Sequence, residues 1–467
     1  MKSAVELHGN PLSETSLAAM RRWLLDVDVL GYLPQIVATE AEGRLWTYFW
    51  FGIRRIDDLV DQHGFQILDD PKAFTEDLDA IQVLREFMAA APTLIDGRRR
   101  LIEQIRSFYA EREYLALGRP LTVKELFSLW YLKAGPGAYM VQRLQLSDVD
   151  EATVRRIVKL ASVGLQMFDD LVDLQEDLDL GRFWLSAEEL ELLGLSTTPP
   201  ASLPATAGER IIRMRKAICL EYFLAVHDEA SRITSPESRK VATAFAEGWL
   251  NFLQQGYLKI YAATDTKPWN TIQRVLKVLP GSETVKLPVL RSVFSLLSTL
   301  PLPPVDVAAC RRELQQLGGC PKALAPEVAL EVMGACEAEG DRESFDQPGP
   351  KAGALERLLL STPPKSTAAD FARSCRDAAA GSPSNLRDPG LSEVVASSFK
   401  LAERTARHSF MARDNFLQLF RQGARSRGPV VDAELAEQFA RDSADWVALG
   451  IEAVAATARE LRGACQK

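Results

Sequence analysis

Arg54-Arg55-Ile56-Asp57-Asp58-Leu59-Val60-Asp61 and Gln166-Met167-Phe168-Asp169-Asp170-Leu171-Val172-Asp173-Leu174-Gln175-Glu176-Asp177 share one pentapeptide, Asp-Asp-Leu-Val-Asp. A helix puts residues four apart on one face, so Asp57 and Asp61 make one acidic patch, and Asp169, Asp173 and Asp177 make another. Asp58 points about 100° away from Asp57 and is the weaker ligand candidate; Arg54, one turn before it, can pair with it. Like charges at this spacing repel by about 0.2–0.5 kcal/mol per pair. Val163, Leu165, Met167, Phe168, Leu171, Val172 and Leu174 surround the second patch with apolar side chains, which a simply solvated face does not explain. Carboxylates stacked this way, twice, expect a cation. Mg²⁺ binds through one or two carboxylates plus substrate phosphates, so the pattern predicts diphosphate chemistry.

The sequence outside these patches is helical in character. Thr122-Val123-Lys124-Glu125 and Ser186-Ala187-Glu188-Glu189 have the capping-box pattern. Asp70-Pro71 and Ser235-Pro236-Glu237 read as helix starts, and Gly64, Gly118 and Gly181 as helix-ending glycines. No stretch alternates as a strand does, and the expected class is all-α. Residues 1–262 read as one catalytic helical bundle. Residues 263–350 read as a proline-containing connection and linker, with a loose stretch at 337–366. Residues 351–467 read as a C-terminal helical region, its helices near 391–422 and 432–463. Pro288–Pro304 is apolar but broken by Arg291 and prolines; it reads as a packing segment or a surface that touches lipid at the membrane periphery.

The 467 residues carry a formal charge of −8 and a pI near 5.4, which argues against a nucleic-acid-binding surface. Six cysteines form no Cys-x-x-Cys pair, so neither a zinc site nor a disulfide framework is indicated, and a reducing cytoplasm is expected. No signal-peptide pattern opens the chain, and no 18-residue apolar run predicts a membrane span. The four histidines are scattered; His63 and His408 read as solvent-facing or structural. The Arg98–Arg100 run reads as a solvated helix face.

Asp173-Leu174-Gln175-Glu176-Asp177, followed by Gly181-Arg182-Phe183 and the helix start at Glu189-Leu190, resembles the second aspartate motif of the squalene and phytoene synthases. Arg54 to Asp61 resembles the first. Tyr131-Leu132-Lys133-Ala134-Gly135-Pro136-Gly137 loosely resembles the family's Ala-Gly-x-x-Gly segment, and Gly256-Tyr257 its Gly-Tyr near the end of the fold. The resemblance covers about residues 20–262. It implies an isoprenoid-synthase helical bundle with a central apolar cavity, here with an appended C-terminal helical domain. It implies that Asp57, Asp61, Asp173 and Asp177, with Asp169, bind Mg²⁺ (two or three ions). Arg54, Arg55, Lys133, Arg182 and Gln166 would meet the diphosphate of an isoprenyl substrate.

Tyr48, Trp50, Phe51, Tyr139, Phe168, Trp249 and Phe252 are the candidate rings around a carbocation, which aromatic faces attract; ordinary core packing explains each ring as well. Lys133 reads equally as a diphosphate clamp or an exposed charge. The chain departs from the family in several places. Leu30-Gly31 stands where the family has Ser-Phe, Trp50 where it has tyrosine, Asp169 where it has asparagine, and Pro136 interrupts the Ala-Gly segment. His408-Ser409-Phe410 is only a weak echo of the missing Ser-Phe.

These departures favour a class I terpene synthase, which ionises one isoprenyl diphosphate and cyclises or rearranges it. Two complete acid pairs favour the alternative, head-to-head condensation of two isoprenyl diphosphates. A third reading, a non-catalytic scaffold relative, conflicts with the retained aspartates and Arg182.

Overall fold

In the computed structural model the described residues are 13–27, 40–70, 78–172, 184–195, 205–254, 305–343, 352–361 and 369–373, with Leu174, Asp177, Arg182, Phe345 and 347–349 besides. They are mostly helical, with no strand among them. In chain order the helices are α1 (Glu14–Val27), α2 (Glu40–His63), α3 (Leu78–Ala90), α4 (Gly97–Ala116), α5 (Val123–Lys133), α6 (Gly135–Gln145) and α7 (Glu151–Val172). They continue as α8 (Ala187–Leu193), α9 (Ala205–Ser231), α10 (Pro236–Gln254), α11 (Val307–Leu317), α12 (Pro326–Gly340) and α13 (Ala354–Ser361).

The punctuation in the sequence sets several of these boundaries. Thr122 accepts the Glu125 N–H while Glu125 accepts the Thr122 N–H. Ser186 and Glu189 repeat the exchange at the start of α8. These reciprocal bonds satisfy donors that a helix N-terminus leaves open. Gly64 ends α2 at φ +79, a conformation that costs glycine little. α10 begins at Pro236, as expected. Pro136 divides its helical stretch: α5 stops at Lys133, and α6 restarts with the proline in its first turn, where the absent N–H costs nothing. The expected starts at Asp70-Pro71 and the helix-ending Gly181 fall outside the described residues, wholly or in part.

Two apolar cores sit side by side. The first joins α1, α2, α3 and α4, exemplified by Leu24, Phe51, Ile56, Leu84 and Ile105. Here α2 and α3 approach so closely that a Cβ on Gly52 would lie 2.4 Å from Leu84 Cγ. The second core joins α5 through α10, with Trp130, Val163, Phe168, Tyr222 and Leu250 inside it. Residues beyond 304 pack onto both. Cys310, Leu324 and Met333 enter the second core, and Leu355, Leu359 and Phe371 enter the first. Within the stretch 337–366, read as loose from its Gly, Pro and Ser content, Ala354–Ser361 is helical because Leu355 and Leu359 fall one turn apart and are buried.

The reading of Arg98–Arg100 as a solvated face is corrected. Arg99 and Arg100 are only 5% and 2% exposed. Both pair with Glu103 at 2.8 Å, and Arg99 also pairs with Asp341. Nearby, Lys159 meets Glu337 at 2.5 Å, and Arg155 meets Glu337 at 3.2 Å and Glu151 at 2.7 Å. Arg106 donates to Glu343 and Glu356. This belt of charges fastens α12 and α13 to α4 and α7. Buried charges need such partners, and here several partners lie far away in the sequence, where local pattern gives no hint of them. Among the described residues, no helix is long and apolar enough to cross a membrane.

Candidate functional site

The first acidic patch lies on α2, whose apolar face belongs to the first core. Asp169 and Asp170 lie near the end of α7, whose apolar face belongs to the second core. Lys133, at the end of α5, lies within electrostatic reach of Asp57 on one side and of Asp169 and Asp170 on the other. Arg182 makes a second link. Its guanidinium lies 3.5 Å from Asp61 Oδ1, and its backbone N–H donates to the Asp177 carbonyl at 2.7 Å.

Arg54 holds the first patch in shape. It pairs with Asp57 at 2.6 Å and with Asp58 at 3.4 Å. Asp58 is buried by this arrangement, while Asp61 is exposed. About a third of the Asp57 side chain is accessible (35%), yet surrounding protein desolvates its carboxylate. Burial, with Asp61 and Glu111 adding repulsion, pushes Asp57 up to about 6 against the pull of Arg54 and Lys133.

The second patch rests on a buried polar floor. Gln166 Nε2 donates to Asp169 Oδ2 at 3.2 Å and to Asp170 Oδ1 at 3.0 Å. The Trp130 indole donates to Asp170 Oδ2 at 3.1 Å. Burial pushes Asp170 up to about 8, against Arg215, Lys133 and Gln166, with Asp169 adding to the rise. Arg215 pairs with Glu189 at 2.7 Å in full burial and donates to the Trp184 carbonyl, also at 2.7 Å. That bond fixes Trp184, whose ring centroid lies 5.3 Å from the Lys133 ammonium. Lys133 is 28% exposed and lies 3.3 Å from Glu111 on α4. Burial opposes its charge, but Glu111, Asp170, Asp169 and Asp57 outweigh burial and hold the ammonium protonated above its ordinary range.

The remaining sequence candidates divide. Phe168 meets Trp249 edge-on at 5.1 Å, and Trp249 stacks on Phe223 at 5.2 Å. Trp50 stacks on Trp46 at 5.3 Å. Tyr48 and Phe51 are fully buried, packed on Phe371 and Trp23. Tyr139 belongs to the charge belt: its hydroxyl donates to Glu151 at 2.6 Å, and Arg100 lies 3.9 Å above its ring. Arg55 lies over the Trp23 ring at 5.5 Å. Asp173 and the Phe252 side chain lie outside the described residues, as do Leu30-Gly31, Gly256-Tyr257, Pro288–Pro304 and His408-Ser409-Phe410.

Glu111, Trp130 and Trp184 escaped the sequence reading. Glu111 had a signal: it continues the turn-by-turn spacing of the buried Leu101, Ile105 and Phe108, an apolar phase in which a carboxylate is out of place.

Comparison with protein-family models, with curated proteins and with solved structures finds no match to this chain. Function therefore rests on the site itself. Among the described residues, no group of three or more His, Cys, Asp or Glu stands close enough to hold a metal ion. The side chains present are of the kinds that magnesium and a diphosphate take: carboxylates on α2 and α7, with Arg54 at Asp57, Arg182 at Asp61 and Lys133 within electrostatic reach of Asp57, Asp169 and Asp170. Magnesium characteristically takes one or two carboxylates and completes its shell with phosphate oxygens and water.

Proposed function

We propose that this chain is a magnesium-dependent isoprenoid synthase of the class I terpene-synthase type, with helices arranged as in the isoprenoid-synthase bundle. The observation that supports the reading is that Lys133 lies within electrostatic reach of Asp57 and of Asp169 and Asp170, while Arg182 reaches Asp61. The substrate would be an allylic isoprenyl diphosphate. Its carbon–oxygen bond breaks heterolytically; the electron pair leaves with the diphosphate, and an allylic carbocation remains.

Asp57, Asp61, Asp169, Asp173 and Asp177 would hold Mg²⁺, which when bound neutralises charge on the leaving group as a Lewis acid. Arg182 and Lys133 would grip diphosphate oxygens, adding fixed positive charge where negative charge develops. Arg54 would keep Asp57 and Asp58 apart and oriented. The Phe168, Trp249 and Phe223 cluster would offer ring faces to the cation, each worth about 0.5–2 kcal/mol, and keep water away from it.

The test is incubation with Mg²⁺ and geranyl, farnesyl or geranylgeranyl diphosphate separately, reading diphosphate release and product mass. Released diphosphate with a product of the substrate's own carbon count is the expected result. A doubled carbon count would replace cyclisation with head-to-head condensation. No release from any of the three would defeat the proposal. Asp57→Asn and Asp173→Asn should each lower release at least a hundredfold while the far-ultraviolet circular dichroism stays that of wild type.

A further inference from the structure

We propose that Gln166 is a positioning residue rather than a diphosphate contact: its amide ties the exposed Asp169 to the buried Asp170, and Trp130 on α5 anchors Asp170. The inference rests on the magnesium and diphosphate reading above and assigns the parts of the second patch within it.

Both pentapeptides carry the same fork. In the first, Arg54 reaches Asp57 with Nη1 at 2.6 Å and Asp58 with Nη2 at 3.4 Å. In the second, Gln166 Nε2 reaches Asp169 at 3.2 Å and Asp170 at 3.0 Å. Each donor stands three residues before one aspartate and four before the next, the spacings at which helix side chains meet. In each pair the outer acid, Asp57 or Asp169, keeps accessible surface, while the inner acid, Asp58 or Asp170, is buried. The outer acid is the one open to a ligand, and the inner acid is the one tied to the fold.

The two inner acids are held differently. Asp58 has a guanidinium, and Asp170 has two neutral donors. Gln166 supplies one and the Trp130 indole the other, so each Asp170 oxygen takes a buried donor. The Arg215 guanidinium lies over the Trp130 ring at 5.7 Å, where its charge polarises the indole and strengthens the N–H as a donor. Arg215 is itself fixed by Glu189 and by the Trp184 carbonyl, each at 2.7 Å. A primary amide nitrogen carries two hydrogens, and Gln166 spends both on its aspartates. That nitrogen has nothing left for a phosphate oxygen. What it provides is orientation: a carboxylate hydrogen-bonded from behind meets a metal ion already aimed.

The experiment is a double-variant cycle, read by calorimetric titration of the full chain with inorganic pyrophosphate in excess Mg²⁺. Gln166→Leu should weaken binding about tenfold, within the usual cost of removing a partner that orients a metal ligand. Asp169→Ala should weaken it as well. Adding Gln166→Leu to Asp169→Ala should cost nothing further, because Gln166 acts through Asp169. Losses that multiply in the double variant would mean that Gln166 meets the ligand itself or serves only the fold; either result, or no loss from Gln166→Leu alone, overturns the proposal.

Should Gln166→Leu fail to fold, Trp130→Phe replaces it, keeping an aromatic ring and removing the N–H behind Asp170. It should weaken binding in the wild-type background and leave Asp169→Ala unchanged; an equal loss in both backgrounds overturns the proposal. If wild type binds no magnesium pyrophosphate at all, the diphosphate reading fails and takes the positioning role with it. If wild type binds it and the losses multiply, only the positioning role fails.

Discussion

Asp57 shows how one carboxylate can report on its surroundings. Burial raises its proton affinity, so protonation occurs near pH 6 instead of at the ordinary 3.8. The folded form then holds the proton more tightly than the unfolded chain does. The stability this contributes is complete below the ordinary value and is lost as pH rises through about 6. Asp57→Asn should therefore change the melting temperature little at pH 4 and raise it at pH 7; equal shifts at the two values would contradict the desolvation of this group. Under the proposed function Asp57 holds Mg²⁺, and its protonation should then lower Mg²⁺ affinity in pyrophosphate as pH falls from 7 to 5, measured by titration at fixed ionic strength. The pentapeptide repeat made Asp57, Asp61 and Asp169 legible as a candidate site, because acids at helical spacing among apolar neighbours need a reason. Glu111 and Trp184 were harder to find: each is a single residue whose role depends on Lys133, and the sequence does not show that Lys133 lies between them.

The helices repeat this contrast between local and distant information. Capping boxes at Thr122 and Ser186 and the break at Pro136 involve residues a few positions apart, and they were readable before any fold was known. Ser186→Ala removes a cap and should cost about 1 kcal/mol in urea unfolding. The charge belt is different: Lys159 and Glu337 meet across 178 residues of chain and Arg99 and Asp341 across 242, so Arg99 and Arg100 resembled a solvated run when read alone. Glu337→Gln leaves the buried Lys159 beside a neutral amide, while Arg155 keeps Glu151. Breaking a buried pair this way costs about 3–5 kcal/mol, and the loss should appear as a lower urea midpoint with an unchanged slope; a midpoint shift near zero would show that the belt contributes no stability. Gly52→Leu forces a side chain into Leu84 and should cost about 1–3 kcal/mol from overpacking, read in the same assay.

On the scale of the whole molecule, the all-α class followed from the absence of strand alternation and the frequency of helix punctuation. The packing of residues 305–373 onto both cores did not, because apolar spacing says that a helix has a buried face but not which surface covers it. A chain ending at residue 262 would uncover the surfaces beneath Met333, Leu324, Leu355 and Leu359, all fully buried in the intact protein. It should lose solubility and bind a hydrophobic dye, and a soluble fragment with a sharp thermal transition would contradict this packing. The helices α12 and α13 insert into different cores while belonging to one short stretch of chain. They act as a strap, so neither half of the molecule can melt without loosening the other. A protease cut between Gly340 and Ala354 should convert one calorimetric transition into two, leaving every side-chain contact chemically intact and removing only the cooperativity.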